Sequence, residues 1–193
     1  MDNPLSDVLA LAVLPDNVSR AIHRAEILVS AQDTDAAIDR LAVQLTALAQ
    51  DRNPVLLTLL PGGGYLSGAL LRRMIFPLQT SYAYWHQKSG QTPQIDFAGD
   101  LPKLGGRLVI LVDDGLTSGD ELAALGKRLH QAGAAEGWRC SMVARLETGK
   151  ATGDFFNQSL SAITTDAQSL FGCGLDVHDY CRNLPSLYRP ELG

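Results

Sequence analysis

Two adjacent carboxylates, Asp113 and Asp114, close an apolar run of strand length, and the loop Gly115-Leu116-Thr117-Ser118-Gly119 leads from them into a helical pattern. Such carboxylates accept hydrogen bonds from hydroxyl groups or hold a divalent cation directly or through water. The unpaired amides at a helix N-terminus offer a cradle for phosphate. The same residues have a plainer use, because an Asp-Asp pair before a glycine turn can cap the next helix, as Asp120 would here.

The elements that must position these groups follow from hydrophobic spacing. Residues 33–52 carry Ile38, Leu41, Ala42, Leu45, Leu48 and Ala49 at helical intervals, with Asp33 or Thr34 available as a cap. Asn53 and Pro54 stop that helix, and residues 55–60 form a continuous apolar run, the pattern of a parallel strand covered on both faces. Gly62-Gly63-Gly64 then turns the chain into a second helix through Leu66, Leu70, Leu71 and Met74. Residues 78–85 read as a strand and residues 87–103, polar with glycine and proline, as a long mobile loop. A strand over 107–114, a helix through Leu122, Leu125 and Leu129, and a strand over 138–146 complete an α/β alternation. Residues 163–176 read as short strands before a loop that ends in Arg182. Two strand ends, after Leu60 and after Val112, carry glycine turns, and in open parallel sheets ligands bind outside such ends.

The bulk numbers bound the function. The 193 residues, 46% hydrophobic and 19% charged, suit one compact domain with its own core. A formal charge of −5, a pI near 5.3 and no basic run disfavour nucleic acid as a partner. Cys140, Cys173 and Cys181 are odd in number and lack metal-ligand spacing with His23, His86, His130 or His178, so reduced thiols in a cytoplasmic protein are expected. The N-terminal residues carry acid before a short apolar run, which fits neither a signal peptide nor a membrane span.

Residues 109–119 resemble the diphosphate-sugar motif of type I phosphoribosyltransferases: a hydrophobic strand, two acidic residues, then a hydroxyl- and glycine-containing loop opening a helix. Pro61-Gly62-Gly63-Gly64-Tyr65 is similar to the pyrophosphate loop of the hypoxanthine-guanine branch, where glycine lets backbone approach phosphate closely. Gly172-Cys173-Gly174-Leu175-Asp176 with Arg182-Asn183-Leu184-Pro185 looks like that branch's C-terminal hood. The resemblance runs from about residue 20 to residue 189. It implies a type I phosphoribosyltransferase fold over residues 1–193, a mainly parallel central sheet flanked by helices (core about 34–150) with a small hood from the N-terminal segment and about 160–193.

The implied activity is purine salvage: transfer of phosphoribose from 5-phosphoribosyl 1-diphosphate to hypoxanthine or guanine, with magnesium, in a homodimer or homotetramer. By resemblance, Asp113 and Asp114 hold ribose and metal, Asp176 helps with the metal, and Gly63 and Gly64 with Arg182 hold pyrophosphate. Leu116, Ser118 and Gly119 line the phosphate loop, while Arg145 senses the base and Phe171 keeps some stacking capacity near Ser169.

The departures from the family cluster at the same place. Thr117 stands where active members carry the aspartate that acts as base, and threonine cannot ionise near pH 7. Glu121 stands where members place a threonine near the 5′-phosphate, and one like-charge pair at about 4 Å costs roughly 4 kcal/mol at an effective dielectric near 20. Asp120 and Glu121 have a structural use too, since acids favour a helix N-terminus. The loop pair that closes over the ligand is replaced by Tyr84-Trp85-His86-Gln87-Lys88-Ser89-Gly90. These changes set a second expectation beside the enzyme: a catalytically degenerate member acting as a nucleotide-binding or protein-interaction module.

Overall fold

The computed structural model describes residues 13–86, 94–145 and 155–190. Within them run α1 (Asp16–His23), β1 (Glu26–Val29), α2 (Ala31–Ala49), β2 (Val55–Leu60), α3 (Gly64–Leu71), β3 (Gln79–His86), β4 (Gln94–Phe97), β5 (Leu108–Asp113), α4 (Gly119–Gln131), β6 (Glu136–Arg145), β7 (Phe156–Thr165) and β8 (Leu187–Arg189). The main sheet has the order β4-β3-β2-β5-β6-β7; every pairing is parallel except β3 with β4.

Alternation along the central strands sends side chains to two cores. Leu56 of β2 and Leu108, Ile110 and Val112 of β5 join Ile38, Leu41 and Leu45 of α2 and Leu66 and Leu70 of α3 on one face. Val55, Leu57 and Leu59 of β2 and Val109 and Leu111 of β5 meet Leu122, Leu125 and Leu129 of α4 on the other. Burial on both faces is why β2 and β5 read as unbroken apolar runs. The α2 cap is Ser30, whose Oγ accepts from the Asp33 amide at 3.1 Å, rather than Asp33 or Thr34; Thr34 is a buried residue of the helix itself.

Two stretches depart from the sequence expectation. The segment read as loop over 87–103 contains β4, paired antiparallel on the sheet edge with Ile95 opposite Trp85; residues 87–93 of it lie outside the described residues. Residues 163–176 are not a series of short strands: Ile163–Thr165 finish the long strand β7, and the chain then turns repeatedly, with positive φ at Cys173, His178, Asp179 and Cys181. That tail is held by bridges between Phe171 and Tyr188, Gly172 and Leu175, and Val177 and Tyr180. The antiparallel pair β1 and β8, with α1, encloses a small third core of Val18, Ile22, Ala25, Phe171 and Tyr188. Cys173, Leu175 and Leu187 of the tail reach into the main core, which docks the tail over one end of the sheet.

Candidate active site

Strands β2 and β5 are neighbours, yet the chain leaves β2 toward β3 on one side and β5 toward β6 on the other. Such a reversal opens a crevice beyond the carboxyl ends of the two strands. Here it holds a cavity of about 240 Å³ bounded by Leu59 to Gly62, Trp85, Asp113, Asp114, Leu116, Thr117 and Glu121, with Asp176 and Arg182 of the tail closing it.

The two adjacent aspartates have opposite surroundings. Asp113 is buried, and Arg139 of β6 donates to it from Nη2 at 2.7 Å and from Nε at 3.2 and 3.3 Å. The parallel register sets Ser141 beside Asp113, so Arg139, two residues earlier, projects on the same face. Arg139 was not expected from the sequence; a lone cation inside the apolar strand Trp138–Val143 was its only signal. Asp114 stands at the strand end, where its Oδ1 accepts from the Leu116 amide at 2.9 Å. Burial is the first cause that pushes its pKa up; the Leu116 amide opposes this, neighbouring Asp113 adds to it, and Arg182 and Arg139 pull it down.

Arg182 joins the tail to this centre. It donates to the Gly174 carbonyl at 2.8 Å, pairs with Asp176 at 2.7 Å, and lies 4.0 Å from Asp114 Oδ2. Asp176 also accepts from the Asp179 amide at 2.8 Å. Among the described residues no cluster of three or more His, Cys, Asp or Glu side chains is placed to hold a metal.

The glycine turn after β2 is arranged differently from the sequence expectation. Gly63 donates its amide to Leu59 at 2.8 Å and Gly64 donates to Pro61 at 3.2 Å, so both amides expected to face a ligand are spent inside the turn. Gly62 borders the cavity instead. Gly63 is needed for packing, because a Cβ there would run into the Val112 carbonyl. In the second loop Gly115 takes φ +106°, and a Cβ on it would strike the Val143 carbonyl. That loop ends in a capping box: Ser118 Oγ accepts from the Glu121 amide at 3.3 Å, and the Glu121 carboxylate accepts from the Ser118 amide and hydroxyl, each at 2.8 Å. Gly119 is the first helical residue, and Asp120 lies in the first turn without being the cap.

A second cavity of about 310 Å³ adjoins the first, and Leu116 and Asp176 border both. Leu116 is half exposed on that divide. Arg145 lies on the wall of the second cavity and donates from Nη2 to the Gln168 carbonyl at 2.7 Å. Phe171 and Ser169 both border this second cavity. The Phe171 ring is itself fully buried and stacked on Tyr188, with centroids 5.1 Å apart.

Glycine-turned strand ends at the reversal of a doubly wound sheet, with two cavities beyond them, mark the place where sheets of this kind bind their ligands. The family profile described as phosphoribosyl transferase domain matches residues 25–167, and the chain belongs to that family. It is 27% identical over 162 residues to the hypoxanthine-guanine-xanthine phosphoribosyltransferase of Tritrichomonas foetus, covering 82% of this chain and 87% of that protein. Among solved structures it is similar to a hypoxanthine phosphoribosyltransferase from Staphylococcus aureus, with TM-score 0.73 and 20% identity over 86% of this chain and 92% of that one. A hypoxanthine-guanine phosphoribosyltransferase from Bacillus anthracis gives TM-score 0.72 and 18% identity, covering 86% and 97%. The last two likenesses establish the fold.

Proposed function

We propose that this chain is a hypoxanthine-guanine phosphoribosyltransferase, transferring phosphoribose from 5-phosphoribosyl 1-diphosphate to a purine base with release of pyrophosphate. The observation that carries the proposal is the pair of adjoining cavities at the β2/β5 crevice of a phosphoribosyl transferase domain, one lined by carboxylates and an arginine, the other by apolar groups together with Arg145, Gln168, Ser169, Asp176 and His178. The first cavity suits the charged sugar diphosphate and the second a flat base; Leu116 and Asp176 stand between them, where the two reactants would meet.

Magnesium fits this donor set in a restricted way. Asp114 and Asp176 are hard oxygen donors bordering the same cavity and would hold the ion together with ligand oxygens and water, the usual manner for magnesium. Asp113 is committed to Arg139 and is not among the candidates. When bound, the ion supplies neutralisation of the diphosphate charge. Arg182 adds a fixed cation over the same cavity, and Gly62 presents backbone there without a side chain. Thr117 borders the cavity where the resemblance implies a general base; its hydroxyl can orient the base by a hydrogen bond but cannot take up a proton as a carboxylate would. The proposal includes a homo-oligomer and cytoplasmic residence, as the family resemblance implies.

The test is nucleotide formation from 5-phosphoribosyl 1-diphosphate and hypoxanthine or guanine, with magnesium, in the wild type and in Thr117→Asp. General-base catalysis typically contributes about 10²–10⁴-fold, so the wild type is expected to turn over slowly and Thr117→Asp to raise kcat by at least about 100-fold. Absence of nucleotide with either protein and either base would remove the proposal and favour a module that only binds.

A further inference from the structure

One side chain from another strand joins the end of β5 to the loop that follows it. Arg139 lies on β6 opposite Leu111, two residues before the Ser141 that pairs with Asp113. Its Nη2 and Nε both donate to the Asp113 carboxylate, and the same Nη2 reaches the Thr117 carbonyl at 3.5 Å. Asp113 borders the first cavity, yet its side chain is 1% exposed, so its carboxylate is met by the guanidinium rather than by solvent. Strand β6 holds the same segment through its backbone. The Val143 amide donates to the Asp114 carbonyl at 3.1 Å, and Gly115 packs so closely on the Val143 carbonyl that a Cβ would strike it. The other hydrogen bonds described for residues 116–118 join the loop to Asp114 or to the first turn of α4. Arg139 thus ties both ends of residues 113–117 to the sheet. This segment carries Leu116 and Thr117 to the first cavity, and Leu116 borders the second as well. A guanidinium suits the task because its donors are fixed in a planar fork that spans two acceptors, whereas an ammonium is a single point of charge.

We infer that Arg139 is a positioning residue for the transfer reaction: it makes Asp113 an anchor and sets where residues 115–117 stand between the two cavities. The inference rests on the proposed transferase reading and deepens it. Arg139 is not among the residues bordering either cavity, so it acts through Asp113 and the Thr117 carbonyl. Reactants held in adjoining cavities react only when the wall between them keeps them in line, and a misplacement of about 1 Å costs on the order of 10²-fold in rate. Loss of Arg139 therefore falls on kcat, while each ligand keeps the contacts of its own cavity and with them its KM.

Arg139→Lys separates this role from a purely structural one, because it keeps a cation opposite Asp113 but cannot span both acceptors. The changes are made in the full-length wild type, or on Thr117→Asp where only that protein turns over, and kcat is taken per site counted by isothermal titration with inosine monophosphate. Arg139→Lys is expected to keep its Tm within about 3 °C and its Kd for inosine monophosphate within about twofold, with kcat lowered at least about fivefold. Arg139→Met and Asp113→Leu are each expected to lower kcat by about 10–100-fold with both KM values within about twofold, and the double variant by no more than the worse of the two. If the single variants do not fold, the lysine variant decides alone. An unchanged kcat in Arg139→Lys overturns the inference and leaves the transferase reading standing. A Kd or KM that rises as far as kcat falls also overturns it, as do losses that multiply in the double variant, because Asp113 would then act on the ligand by itself. No nucleotide from either background removes the transferase reading and the inference together.

Discussion

Asp113 and Asp114 are neighbours in sequence, of the same type, and do different work. Asp113 is fixed by a guanidinium from another strand, and Asp114 is left at the cavity wall in surroundings that disfavour its charge. The raised pKa of Asp114 means the folded state holds its proton more tightly than the unfolded chain, whose aspartates titrate near about 3.9. The associated stability is present below the unfolded value and is lost as pH rises through the folded one, so at pH 7 the carboxylate is a liability to the fold. Asp114→Asn is thus expected to raise Tm at pH 7, with the gap from the wild type closing toward pH 4. A lower Tm, or a gap independent of pH, would show that the carboxylate is held by its partners rather than penalised by burial. At this scale the sequence displayed the chemistry-bearing types, Asp113, Asp114, Asp176 and Arg182, but not their states. The partner of Asp113 comes from 26 positions away, and the amides of Gly63 and Gly64 are consumed by a turn whose hydrogen bonds no spacing rule records.

Elements with two buried faces were readable because their burial is written in consecutive side chains, as in β2 and β5, and the helices α2 and α4 because their apolar stripes keep helical spacing. The strand β4 was lost in a polar stretch: four residues, only Ile95 buried, exist as a strand through pairing with β3. The tail was read as strands because its apolar residues are closely spaced, whereas its positive-φ positions fold it into turns instead. The joint between β5 and β6 carries a measurable consequence. Arg139 is the ionic partner of Asp113 and lies 3.5 Å from the Thr117 carbonyl, so it ties the strand to the loop after it. Removing one partner of a buried pair leaves an uncompensated charge and costs about 3–5 kcal/mol. Arg139→Met is expected to destabilise by about that amount in urea unfolding, and the double change Arg139→Met with Asp113→Leu to recover most of it. A single variant within about 0.5 kcal/mol of the wild type would show that the pair does not anchor the strands.

At the scale of the whole molecule the chain places a cavity at a sheet reversal and lays its C-terminal tail across it, with Arg182 as the link between tail and strand end. The fold class and the general place of the site follow from the order of strand, glycine turn and helix; the closeness of the tail to Asp114 follows from long-range packing of Cys173, Leu175 and Leu187 into the main core. No helix among the described residues is long and apolar enough to cross a membrane. The central claim is that this cavity takes a sugar diphosphate through Asp114 and Asp176 with magnesium. Thermal unfolding with 5-phosphoribosyl 1-diphosphate, with and without magnesium, in the wild type and in Asp176→Asn, tests it most directly. Ligand at about 100 times its Kd adds roughly 2.7 kcal/mol, a rise of about 5–10 °C for a chain of this size. The account predicts that rise in the wild type with magnesium, little without it, and a clearly smaller one in Asp176→Asn; no rise under any condition, or the same rise without the metal and in the variant, would contradict it.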